Sequence, residues 1–163
     1  MPPWPLASKA WATSALATAR SLKVPAEDVT DAPLDKRPLL LIVDDDARSA
    51  NLLARLLGVE GYDTEVTTDG AAALSRLTRG PVPEALITDF HLPHADGLAV
   101  GRYARSRRTS IPIFMITGDP EAVARATANE PLEDPVVVVI TKPFDYGDFL
   151  LRLTAAVARA RAV

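Results

Sequence analysis

Five short strand-like runs, each followed by a stretch of helical period, constrain this 163-residue chain more than any other feature. Residues 39–43, 113–116 and 136–140 are apolar throughout and leave no polar face. A strand of that kind is buried on both sides, which points to a parallel sheet covered by helices above and below. Residues 85–88 read as a shorter strand, and residues 63–67 alternate. The intervening segments read as helices. Residues 48–60 place Leu52, Leu53, Leu56, Leu57 and Val59 inward, and Gly61 is a stop. Residues 69–79 end at Gly80-Pro81. Residues 97–107 follow, then a weaker helix at 120–130, where Asp119-Pro120-Glu121 supplies a cap and a proline at the first helical position. The last helix, 145–160, carries Phe149, Leu150, Leu153 and Val157 on one face. Alternation of five strands with five helices predicts an α/β, doubly wound, three-layer sandwich around a five-stranded parallel sheet.

Residues 1–37 differ in composition. They are rich in Ala, Ser, Thr and Pro, and their first acidic residue is Glu27, while Lys9, Arg20 and Lys23 are basic. We expect a disordered or weakly helical leader there, with any helix near residues 7–23, and one folded domain over 38–163. The stretch before Glu27 is acid-free, with Arg, Ser and Ala, and resembles a transit peptide in composition; a start codon read too far upstream would produce the same pattern. A net charge of −3 gives no footprint for nucleic acid. The lack of cysteine excludes disulfides and thiolate metal sites and fits a reducing, cytoplasmic setting. No apolar run approaches the roughly 20 residues that span a bilayer.

In an open parallel sheet the reactive groups gather beyond the carboxyl ends of the strands. Asp44, Asp45 and Asp46 follow the first strand, Asp89 ends the third, Thr117 ends the fourth, and Lys142 follows the fifth. Carboxylates brought together repel one another. A hard divalent cation relieves that repulsion, and oxygen-only ligands shared with phosphate favour Mg²⁺.

Four motifs then carry a resemblance. They are Leu41-Ile42-Val43-Asp44-Asp45-Asp46, the loop Asp89-Phe90-His91-Leu92-Pro93-His94-Ala95-Asp96-Gly97, the strand end Phe114-Met115-Ile116-Thr117-Gly118, and Thr141-Lys142-Pro143-Phe144. In this order and on these strands they resemble the receiver domain of two-component response regulators, a flavodoxin-like fold, over residues 38–163. The resemblance implies that Asp89 accepts a phosphoryl group from a histidine kinase or phosphotransfer protein. It implies Mg²⁺ held directly by Asp45, Asp89 and the backbone carbonyl of His91, and through water by Asp44. Lys142 would bind a phosphoryl oxygen, with Pro143 fixing its loop through a cis peptide. Thr117 would move toward the phosphate and the Gly118 amide would contact it. Asp46 is left as a loop or helix-cap residue. The signal would pass by protein contact to a downstream target, without direct DNA binding, and the domain would not turn over an external substrate.

One departure matters. Val139 stands where the family usually carries Tyr or Phe, three residues before the lysine, so signalling should run mainly through Thr117 and its loop. Phe114 could replace the missing ring, with core packing as its ordinary role. His91 is either an idle loop residue or one that influences water attack or partner chemistry. Arg102, Arg105, Arg107 and Arg108 form a basic cluster that reads as a solvated face or a patch for an acidic partner. The alternative from another class is a haloacid-dehalogenase-like phosphatase with Asp44 as nucleophile, although Arg48 stands where that family has Thr or Val. A detached receiver of a hybrid histidine kinase is the alternative within the same class.

Overall fold

The computed structural model describes residues 36–128 and 137–163, so the expected leader lies outside the described residues. The strands are β1 (Leu39–Val43), β2 (Asp63–Thr67), β3 (Ala85–Asp89), β4 (Ile113–Thr117) and β5 (Val137–Thr141). The helices are α1 (Ala47–Val59), α2 (Gly70–Arg79), α3 (Gly97–Arg107), α4 (Pro120–Thr127) and α5 (Tyr146–Arg161). The strands pair in parallel in the order β2-β1-β3-β4-β5. This is the expected doubly wound, flavodoxin-like arrangement.

Why the strands are apolar on both faces is visible in the packing. Along β1, Leu40 and Ile42 join Ile87, Phe114 and Ile140 in a core closed by Leu57 of α1 and Phe149, Leu153 and Val157 of α5. Leu41 and Val43 point the other way, into a second core with Leu86, Met115, Leu77 of α2, Val100 of α3 and Val123 of α4. A period of two therefore splits each run between two layers. The anticipated face of α5 is the one that packs inward. Phe114 is a core residue, its ring edge-on to Phe149 at 5.6 Å.

Each of the five helices begins with an aspartate cap. Asp46, Asp69, Asp96, Asp119 and Asp145 each accept a backbone N–H from the first turn. Strand register aligns the carboxyl ends, with Val43 opposite Thr88, Asp89 opposite Ile116 and Thr117 opposite Thr141. The loops leaving those ends consequently share one edge of the sheet.

Two expectations are corrected. On α1 the inward stripe is Ala50, Leu53, Ala54 and Leu57, while Leu52, Leu56 and Val59 are 60%, 38% and 86% exposed. Five apolar residues at 52, 53, 56, 57 and 59 span too wide an arc for all to face one sheet, and the small alanines mark the side of close approach. Arg108 also leaves the basic cluster. It is half-buried, and its guanidinium donates to Ser110 Oγ at 3.3 Å and to the Ala160 carbonyl at 3.0 Å, fastening the end of α3 to the end of α5.

Candidate functional site

The shared edge gathers four of the anticipated side chains. Asp44, Asp45 and Asp89 each bring a carboxylate oxygen to within 4.8 Å of the others. Lys142 Nζ donates to Asp89 Oδ2 at 3.0 Å and lies 3.8 Å from Asp44 Oδ2. Asp44 is placed by β1, whose pairing with β2 continues through the Asp44 N–H to the Thr67 carbonyl at 3.1 Å. Lys142 is placed by β5, with its own N–H on the Thr117 carbonyl at 2.8 Å. The Lys142–Pro143 bond is cis.

Electrostatics follow from this crowding. Burial pushes the Asp44 carboxyl above its usual range, and the charges of Asp89 and Asp45 push the same way. The Asp46 N–H, which donates to Asp44 Oδ1 at 2.9 Å, and Lys142 oppose the shift without cancelling it. For Lys142, burial works against the charged form. The hydrogen bond to Asp89 and the charges of Asp44, Asp89 and Asp45 outweigh it and hold the ammonium's pKa above its ordinary value. Among the described residues, the Lys142 ammonium thus faces three carboxylates, and an excess of negative charge remains. Oxygen donors with uncompensated charge at this spacing suit a hard divalent ion.

Asp46 is not part of that cluster. Its Oδ1 takes the Arg48 N–H at 3.0 Å and the Ser49 N–H at 3.4 Å, and its Oδ2 takes the Ser49 hydroxyl at 2.9 Å. Thr117 is fully buried at the end of β4, and its hydroxyl is turned to the Asp119 N–H at 3.0 Å. Gly118 borders open space, where an added Cβ would meet nothing within 4 Å. His91 is exposed, its ring set edge-on to Phe90 at 4.7 Å, and its N–H reaches Asp89 Oδ1 at 3.4 Å. Val139 lies opposite Met115 and is 41% exposed, with no ring in its place. The Asp119 tie to Thr117 was missed by sequence reasoning. The Thr-x-Asp spacing before a proline was the only signal available for it.

A family model described as response regulator receiver domain matches residues 40–154. The response regulator MprA of Mycobacterium leprae is 33% identical over 122 residues, covering 75% of this chain and 52% of the relative. MprA of Mycobacterium avium is 32% identical over the same length. The chain therefore spans about half the length of the curated relatives it matches. Among solved structures, the signal receiver domain of an HD domain-containing protein from Pseudomonas fluorescens is 27% identical with a TM-score of 0.67, over 78% of this chain and 99% of that one. A sensor protein from Polaromonas is 29% identical with a TM-score of 0.65, over 76% and 98%. Among the described residues, no helix is long and apolar enough to cross a membrane.

Proposed function

We propose, from the premise that this chain belongs to the response regulator receiver domain family, that Asp89 is its phosphoryl acceptor. The donor is a histidine kinase or phosphotransfer protein, and the output is a contact with another protein. The observation that carries this reading is the juxtaposition of Asp44, Asp45 and Asp89 with Lys142, whose ammonium is 3.0 Å from the acceptor carboxylate.

The chemistry follows from charge. An Asp89 oxygen attacks the phosphorus, a P–O bond forms, and the bond from phosphorus to the donor nitrogen or oxygen breaks with its electron pair leaving on the donor. Anionic nucleophile and anionic phosphoryl group repel, so the site must neutralise the equatorial oxygens. Lys142 contributes one positive charge at a fixed position. Asp45, Asp89 and the His91 carbonyl would hold Mg²⁺, with Asp44 acting through water. The ion, when bound, supplies the remaining positive charge. Gly118 leaves the approach open and offers its amide, and Thr117 offers a hydroxyl once it lets go of Asp119. The product is a mixed anhydride rather than a released product, so the domain acts as a switch and not as a catalyst on an external substrate.

Intact-mass measurement with Mg²⁺ and acetyl phosphate tests this reading. One phosphoryl group should appear on the wild-type chain and none on Asp89→Asn. Full labelling of that variant would remove Asp89 from the role.

A further inference from the structure

The loop that carries Asp89 is bent by a turn that its own residues do not favour. The Ala95 N–H donates to the Pro93 carbonyl at 2.9 Å, closing a three-residue turn about His94, whose φ is 68°. Turns of this size with positive φ are rare, and a non-glycine residue there is strained. Such strain persists only where the surroundings over-determine it.

The first residue of α2 supplies that surrounding. The Gly70 N–H donates to the same Pro93 carbonyl at 3.1 Å. Gly70 is buried, and a Cβ added there would overlap the Ala95 carbonyl oxygen and stand 2.7 Å from the carbonyl carbon. Those atoms are backbone and cannot rotate aside as a side chain could. The start of α2 therefore lies directly on the loop, at a distance only glycine permits. The far end of the loop is held in a similar way. The Gly97 N–H donates to the Phe90 carbonyl at 2.9 Å, and a Cβ at Gly97 would overlap the Asp89 carbonyl oxygen and stand 2.9 Å from Met115 Sδ. The loop between Asp89 and Gly97 is thus held at its middle by Gly70 and drawn together at its two ends by Gly97, through backbone contacts in both places.

We propose that Gly70 is a positioning residue for the acceptor. By clamping the Pro93–Ala95 turn it fixes the backbone from Asp89 to His91, on which metal and phosphoryl binding depend. The inference rests on the reading of Asp89 as phosphoryl acceptor. Gly70 itself touches neither group and acts only through the loop.

The experiment follows acetyl phosphate labelling of the full chain by intact mass, as a function of Mg²⁺, for wild type and three variants. Gly70→Ala should label roughly tenfold more slowly, as expected for a misplaced reacting group. Its Mg²⁺ half-saturation should rise about tenfold, the scale seen when support of metal ligands is lost. Adding His94→Gly to Gly70→Ala lets the turn relax and should restore most of both losses. Gly58→Ala, on α1 with nothing within 4 Å of an added Cβ, should match wild type. A folded Gly70→Ala protein with wild-type rate and Mg²⁺ dependence would overturn the proposal, as would a double variant that recovers nothing. If Gly70→Ala does not fold, amide exchange in the wild type decides. Exchange at Gly70 and Ala95, which share the Pro93 carbonyl, should slow at least tenfold when Mg²⁺ and beryllofluoride are added, while Ala73 is unchanged. Unaltered exchange at Gly70 would sink the clamp. Failure of the underlying reading would look different, since wild type itself would then not label or Asp89→Asn would.

Discussion

Three adjacent aspartates of identical chemistry have three different fates, and the backbone decides which. Asp44 is half-buried and drawn toward Lys142, Asp45 is exposed beside it, and Asp46 turns back to cap α1. Hydrogen bonds from the Ser49 hydroxyl and from the Ser49 and Arg48 amides hold the Asp46 carboxyl below its usual range. Single substitutions should separate these roles. Asp45→Ala should sharply weaken Mg²⁺ binding in a calorimetric titration and leave the urea midpoint nearly unchanged. Asp46→Ala should do the reverse, because it removes a helix cap and no candidate ligand. Equal losses of Mg²⁺ affinity in the two variants would contradict the division. At this scale the sequence was largely legible. Residue type and position after a strand were enough to single out Asp44, Asp45, Asp89 and Lys142. The contact between Gly70 and the Asp89–Gly97 loop was not legible, because it joins residues 25 apart through backbone atoms that no side-chain pattern records.

Among the elements, α4 is where a change at Asp89 would first be felt. Thr117 Oγ1 accepts the Asp119 N–H, and Asp119 Oδ1 in turn caps α4 through the Ala122 N–H at 2.9 Å. If the Thr117 hydroxyl turns to a phosphoryl oxygen, the Asp119 amide loses its acceptor and the first turn of α4 must rearrange. Thr117→Ala removes that acceptor permanently. Amides of residues 119 and 121–123 should then exchange faster before any ligand is added, and beryllofluoride should change them little further. In wild type beryllofluoride should produce the increase. Val139 offers no comparable route, since a β-branched side chain on an edge strand has few rotamers and no ring to relocate. Helix α1 shows what periodicity could not resolve. Its apolar residues covered too wide an arc for the phase to be read, so Leu52 and Leu57 looked equivalent. Burial separates them, and Leu57→Ala should cost about 2–5 kcal/mol in denaturant unfolding. Leu52→Ala should cost at most about 0.5 kcal/mol.

For the molecule as a whole, the alternation of five strands with five helices and the two-layer core follow from apolar runs and their spacing, whereas the order of the strands in the sheet and the ties at its far end do not. Arg161, at the end of α5, pairs with Glu84 just before β3 and donates to the Lys36 carbonyl at 2.9 Å. The second guanidinium contact with Glu84 is 2.9 Å. This joins the last helix, a central strand and the first described residue, across 125 positions of chain. No local pattern could have announced it. The Arg161 hydrogen bond holds the Glu84 carboxyl below its ordinary value of 4.5, against the opposing effect of burial. A carboxylate whose folded pKa is depressed stabilises the protein fully above its unfolded pKa, and that contribution is lost as pH falls through the folded one. The Arg161 side chain is 35% exposed, so solvent screening keeps the effect to about 0.5–1 kcal/mol. Glu84→Gln should therefore be less stable than wild type by that amount at pH 7 in urea unfolding. The gap should narrow as pH drops below the ordinary glutamate value, because wild type then loses the same ion pair. A gap that stayed constant between pH 7 and pH 3 would mean that Glu84 acts through packing and hydrogen-bond shape rather than charge.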